Sequence, residues 1–367
     1  MSSTRFVILL LGVALGAACA APGPAGSPAA KSAPAGGAPS AAAPGASGAP
    51  AAPNAGAAQP AALETVEYGF TSVSANYWPI FAAQARGYFE EEGIQLSETS
   101  TGSAAAGTLA VVSGSLDIVS ANPDPILRSV QGGSDLVMTA GTLNPPIYRL
   151  FGLKNVTSVD ALKGQTLMMG GPKDVTLYIF DRMVAPYGLR RGDFDYVYAG
   201  GTPDRYRALQ SGAVAATLLY QPYDFVAQKE GYPLLLDSYD VIKDLVFSSF
   251  TVSRPWLANE GNRGRLVRWL GAAYRGAQAV CDPAQKDDMI RILADKTRLS
   301  EEDARLSYDL IITDTHSMKC DLRVTTQEFQ RVLDYIVEMG DMTPPLPDLQ
   351  RIVDTSYLEQ AIARAQR

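Results

Sequence analysis

The chain holds one histidine, His316, and three cysteines, Cys19, Cys281 and Cys320. These cannot fill a structural zinc site of four cysteines, or of two cysteines and two histidines. His316, in Asp314-Thr-His-Ser-Met318, reads as a surface residue, and no nucleophile elbow, phosphate loop or metal-spaced cluster occurs. Polar and aromatic residues gather instead in short segments between apolar strands and helices. Thr71 to Trp78 carries hydroxyls with Asn76, Tyr77 and Trp78; Gly102 and Ser103 open a helix, whose free N–H groups favour polar or anionic atoms. Asn122 follows a strand, Gly171, Asp174 and Thr176 surround a helix start, and Gln221 and Tyr223 follow another strand. The expected ligand contacts are therefore Ser72, Asn76, Tyr77, Trp78, Gly102, Ser103, Asn122, Gly171, Asp174, Thr176, Gln221 and Tyr223. Lobe packing is the alternative for Tyr77 and Trp78, and a plain turn the alternative for the glycines. Among these segments Lys173 is the one cation, with Arg149 near an expected crossing. Aromatic walls with few polar groups suit a neutral or weakly polar aromatic or heterocyclic compound. Oxyanions normally recruit Arg or Lys, though helix N-termini alone keep sulfonates open.

The elements that must position these residues alternate. Val66, Tyr68 and Phe70 have strand period; Phe81, Ala85, Tyr88 and Phe89 share one helix face, and Pro79 suits its first turn. Strands are expected at 94–98, 116–120, 136–140 and 149–152, then at 165–170, 195–199, 216–220 and 234–237. This is an α/β pattern with largely parallel sheets. The segment 245–252 is a candidate return crossing. An internal similarity relates Ser113-Gly-Ser-Leu-Asp-Ile-Val-Ser-Ala-Asn-Pro-Asp-Pro125 to Ser211-Gly-Ala-Val-Ala-Ala-Thr-Leu-Leu-Tyr-Gln-Pro-Tyr-Asp224. Each would end a strand beside a helix N-terminus, the place where open α/β sheets bind ligands. The tail is helical, with apolar stripes at Leu266, Trp269, Leu270, Ala273, Ala277 and at Phe329, Val332, Leu333, Ile336, and caps at Ser300 and Thr325.

The N-terminus has another character. Arg5 precedes an apolar run from Phe6 to Ala18 and then Cys19, a secretory signal pattern. Leu15-Gly-Ala-Ala-Cys19 resembles a bacterial lipobox, which implies a lipid on Cys19; cleavage after Ala20 at Ala18-Cys-Ala20 is the alternative. From residue 20 to 62 all but seven residues are Ala, Pro or Gly, a composition that cannot offset the entropy of ordering. Segment 1–19 is thus read as a signal peptide with a lipobox and 20–62 as a disordered tether. Residues 63–367 carry 29 basic against 38 acidic groups, which argues against nucleic acid. No later apolar run approaches a membrane span.

Four stretches stand in a telling order: Ala82-Ala-Gln-Ala-Arg-Gly-Tyr-Phe-Glu-Glu-Glu-Gly-Ile94, Gly114-Ser-Leu-Asp-Ile118, Leu162-Lys-Gly-Gln-Thr166 and Gly212-Ala-Val-Ala-Ala216 with Gln221-Pro222. Together they resemble those of bacterial extracytoplasmic substrate-binding proteins of ATP-driven (ABC) importers, in the branch for sulfonates, nitrate and thiamine-pyrimidine precursors. Ala215 stands where the family usually has Asp. The resemblance implies a two-lobed α/β periplasmic binding protein, type II-like, with two hinge strands and a C-terminal helical part on the first lobe. Lobe 1 is expected at 63–152 and 248–367, lobe 2 at 153–247. It implies binding without turnover or cofactor, with a monomer that closes on a ligand and docks on an ABC permease with its ATPase. A lipid-anchored protein on the outer face of the cell membrane or in the periplasm is expected. A ligand-sensing lipoprotein and an enzyme like thiamine-pyrimidine synthases are the alternatives. Export also exposes thiols to oxidation; with Cys19 lipidated, Cys281 and Cys320 remain as a pair expected to form a disulfide.

Overall fold

The computed structural model describes residues 62–367. Cys19, the signal peptide and all but the last residue of the tether lie outside the described residues. Among the described residues no helix is long and apolar enough to cross a membrane.

Among the described residues ten strands form two five-stranded sheets. The first contains β1 (Glu64–Phe70), β2 (Ile94–Ser100), β3 (Ile118–Ala121), β4 (Leu136–Gly141) and β10 (Ser249–Ser253), in the order β2-β1-β3-β10-β4. The second contains β5 (Arg149–Gly152), β6 (Thr166–Met169), β7 (Asp195–Tyr198), β8 (Ala216–Leu219) and β9 (Leu234–Asp237), in the order β7-β6-β8-β5-β9. In each sheet the strand that follows a lobe crossing is the reversed one. β10 pairs antiparallel with β3 and β4, and β5 with β8 and β9. This is the two-lobed α/β fold.

One boundary differs from the sequence reading. Residues 149–152, expected in lobe 1, are β5 of the second sheet. The four-residue strand carries no signal of which sheet it joins; its partners β8 and β9 lie far ahead in sequence. The crossings are the segments between β4 and β5 and between β9 and β10. They run side by side: the Phe247 amide donates to the Leu143 carbonyl at 2.9 Å, and the Tyr148 amide to Ser238 Oγ at 2.8 Å.

The tail helices pack on the first sheet. Within helix Glu260–Cys281, Trp269 is fully buried, with its ring 5.3 Å from that of Tyr68 and 4.9 Å from that of Phe250. Gly276 lets this helix approach helix Trp78–Ala85, since a Cβ there would stand 2.0 Å from the Pro79 carbonyl oxygen. Thr325 and Glu328 form a reciprocal capping box. Cys281 and Cys320 are joined by a disulfide, with Cα atoms 5.8 Å apart.

Candidate functional site

The two sheets face one another across a cleft built from strand ends. β1 runs into Thr71–Tyr77, where the Tyr77 hydroxyl accepts from the Thr71 amide at 3.1 Å. Asn76 Oδ1 accepts from Thr142 Oγ1 at 3.2 Å, and Asn122, beyond β3, donates its amide to the Phe247 carbonyl at 2.8 Å. On the other side β6 runs into the Gly170–Gly171 turn and Asp174, which caps helix Val175–Val184. Asp174 Oδ1 accepts from the Thr176 amide at 2.9 Å and from its hydroxyl at 2.7 Å. These tight local bonds fix side chains that a loop would otherwise leave free.

Ser72, Asn76, Tyr77 and Asn122 from lobe 1 meet Asp174 and Thr176 from lobe 2 around one cavity. Three aromatic residues that sequence reasoning missed share it: Tyr148 and Phe247 from the two crossings and Tyr220 from the end of β8. Their rings form a cluster, with centroids 5.4 Å (Tyr148–Tyr220), 5.6 Å (Tyr148–Phe247) and 6.0 Å (Tyr220–Phe247) apart. Burial pushes the Tyr148 hydroxyl up to about 12. The Tyr220 hydroxyl is buried without a hydrogen-bond partner, as is Thr71 Oγ1, which also lines the cavity. The space left is about 30 Å³, room for a couple of waters.

The lobes meet along a glycine seam. A Cβ on Gly200 would stand 2.1 Å from the Gly102 carbonyl oxygen, and one on Gly201 3.1 Å from Ser72 Cβ. The Ala75 amide donates across the seam to the Gln221 carbonyl at 3.1 Å. Gly102 therefore serves the contact between lobes. Ser103 caps helix Ala104–Ser113 and, with Gly171, lines a more apolar space of about 390 Å³ at the mouth of the cleft.

Three expected contacts lie elsewhere. Trp78 is fully buried in the first lobe, where its indole N–H donates to the Met289 carbonyl at 2.9 Å. Tyr223 packs on Tyr206 with ring centroids 5.8 Å apart, under the second sheet. Gln221 is fully buried and donates to the Ile147 carbonyl at 3.0 Å and to Asp224 Oδ2 at 2.9 Å. The aromatic neighbours one residue away, Tyr77 and Tyr220 before Gln221, take the cleft. Arg149 pairs with Asp224 and Asp237, at 3.3 and 3.0 Å, and Lys173 with Asp341 at 3.4 Å. His316 is exposed and bonds the Ile312 carbonyl at 2.8 Å. Among the described residues no cluster could hold a metal ion.

Asp124, at the start of helix Pro123–Gln131, is buried and pairs with Arg128. Burial pushes its carboxyl up to about 7; Arg128 opposes the shift and Asp174, across the cleft, adds to it.

The family model described as NMT1/THI5 like matches residues 74–285, more than half of the chain. The chain belongs to the NMT1/THI5-like family. No curated protein matches it by sequence. Among solved structures, the nitrate-binding protein NrtA from Synechocystis PCC 6803 superposes with a TM-score of 0.68 at 15% identity, covering 82% of this chain and 89% of that one. The alkanesulfonate-binding protein SsuA from Xanthomonas axonopodis pv. citri, bound to MOPS, gives 0.63 at 17% identity, covering 79% and 97%. A DszB mutant in complex with biphenyl-2-sulfinic acid gives 0.57 at 15%, covering 82% and 99%. At these identities the likeness establishes the periplasmic-binding-protein fold of this family member.

Proposed function

We propose that the protein is the solute-binding component of an ABC-type importer. It closes two lobes on a small organic ligand and presents the closed form to a permease served by an ATPase. The observation that carries this reading is a cavity between the strand ends to which both lobes contribute side chains, with two unpartnered hydroxyls, on Tyr220 and Thr71, inside it. A bound molecule would supply the partners those groups lack. The remaining space is small because the lobes are drawn together; they part at the crossings to admit a ligand and close on it. The aromatic cluster suits an aromatic, heterocyclic or otherwise apolar-bodied solute. In this reading the protein is exported and held at the outer face of the membrane by a lipid on Cys19; the leader and the tether composition support it.

The test is mass spectrometry of small molecules released when the purified protein is denatured, followed by melting curves with the identified compound. A true ligand raises the melting temperature in a concentration-dependent way. Chemical conversion of the compound by the purified protein would refute a role limited to binding.

A further inference from the structure

The charge and ring content of the cleft reach beyond a generic organic ligand. Tyr77, Tyr148, Tyr220 and Phe247 line it together with the Asp174 carboxylate, and none of the lining residues is Lys, Arg or His. The cations nearby are already committed. Lys173 pairs with Asp341 at 3.4 Å and Arg128 with Asp124. Arg205, 1% exposed and close to the Tyr148 ring, donates to the carbonyls of Leu218, Ala199 and Gly200 at 2.9, 3.2 and 2.8 Å and to Thr202 Oγ1 at 3.0 Å. Four of its five N–H groups are thus used. Asp174, by contrast, uses Oδ1 as a helix cap and forms no ion pair among the described residues. The cavity lining therefore offers a carboxylate and four aromatic rings but no basic side chain; Arg205 lies behind the Tyr148 ring with its N–H groups turned to carbonyls and the Thr202 hydroxyl. Aromatic rings attract a cation through their quadrupole, and more strongly when water is excluded.

We propose that the cleft selects a small organic ammonium ion, held among these four rings and by the Asp174 carboxylate. The unpartnered Tyr220 hydroxyl then hydrogen-bonds a polar group on the same ligand. This rests on the solute-binding reading above and specifies the ligand class for the same cleft.

The test compares three molecules of similar size by titration calorimetry: choline, its uncharged isostere 3,3-dimethyl-1-butanol, and the anion 2-hydroxyethanesulfonate. Choline is expected to bind about tenfold or more tighter than the alcohol, with the sulfonate weakest. Asp174→Asn keeps a side chain able to cap the helix, so the fold survives. It should weaken choline by about tenfold and leave the alcohol unchanged. Tyr220→Phe keeps the ring, and should weaken choline while sparing tetramethylammonium, which has no hydroxyl to bond. Equal or tighter binding of the alcohol or the sulfonate overturns the proposal, as does an Asp174→Asn protein with unchanged choline affinity. Binding of none of the three also overturns it. The solute-binding reading is then judged separately, by whether the purified protein releases a ligand of another class.

Discussion

The two similar segments, 113–125 and 211–224, each lead from a strand into a helix and use the junction differently. Each passes from strand to amide to proline to a buried aspartate: Asn122, Pro123 and Asp124 in lobe 1; Gln221, Pro222 and Asp224 in lobe 2. Each aspartate is paired with an arginine, Arg128 or Arg149. Yet Asn122 lines the cleft, whereas Gln221 is sealed behind it and Tyr220 takes the cleft position. The longer glutamine reaches the Ile147 carbonyl and Asp224 together, which ties the segment to a crossing. A repeated motif thus fixes where the strand ends; the length of one side chain helps decide whether it serves the ligand or the scaffold.

Within this pair the larger effect should come from breaking the scaffold member. Gln221→Ala removes the side-chain donor from a fully buried carboxylate and strands the Ile147 carbonyl, and should cost about 3 kcal/mol of stability. Asn122→Ala removes one bond to the Phe247 carbonyl at a half-buried site and should cost about 1 kcal/mol, with ligand affinity reduced as well. Chemical denaturation of both variants checks the asymmetry. Equal losses would mean that the two amides play the same role.

A second test addresses closure. Gly200 approaches the Gly102 carbonyl so closely that any side chain must hold the lobes apart. Gly200→Val should weaken ligand binding by about a hundredfold while leaving the melting temperature of the unliganded protein nearly unchanged. Small-angle scattering should show the variant more extended in the presence of ligand. Trp78→Ala should do the reverse, lowering stability by about 3–5 kcal/mol through a core cavity.

Those two residues show how far the sequence was legible. Strand-helix alternation, the tail stripes and the capping box at Thr325 follow from local periodicity and chemistry, and the structure has them. The loop around Asn76 and the helix start at Asp174 are equally local, and both line the cleft. Trp78 and Tyr223 are not local questions. Each lies at the start of the helix that follows a strand end, where one to three steps along the chain exchange cleft for core, as Tyr77 and Tyr220 show. Tyr148 and Phe247 reach the cleft because two crossings far apart in sequence run together, and nothing near either residue announces it. Gly200 was invisible for the same reason: its requirement is set by a carbonyl of the other lobe.

The buried aspartates allow a smaller test by pH. Burial pushes Asp124 up to about 7 and Asp224 up to about 6, from an ordinary 3.8. The folded protein therefore holds protons that the unfolded chain has released. Stability should be greatest near pH 4 on this account, fall as pH rises towards about 7, and then level off. Arg128, Asp174 and Tyr335 are the charged or titratable groups acting on Asp124. Asp124→Asn should flatten the upper part of the decline and Asp224→Asn the lower part, in melting temperatures measured from pH 4 to 8. A slope unchanged in both variants would place the linkage elsewhere.

The smallest effect is expected at the rim, where the lobes meet through ion pairs instead of backbone. Lys173, Arg182 and Lys229 of the second lobe pair with Asp341, Glu338 and Glu302 of the tail, at 3.4, 2.6 and 2.7 Å. The sign is the same in each: the second lobe supplies the cation. These pairs form only when the lobes are together, so they bias the molecule toward closure. Arg182 and Glu338 are both substantially exposed, and exposed pairs contribute about 0–1 kcal/mol, screened by salt. Arg182 also lies over the Tyr178 ring, which itself stacks on Tyr335 of the tail at 4.5 Å, a contact that salt does not weaken. Arg182→Ala should therefore reduce ligand affinity by less than about fivefold in low salt. The reduction should shrink in about 1 M salt, where the Debye length is about 3 Å, while Tyr178→Ala should lose the same affinity at either salt concentration. Titration of ligand at the two salt concentrations separates the contributions; a salt-independent Arg182→Ala effect would assign the rim's influence to ring packing alone.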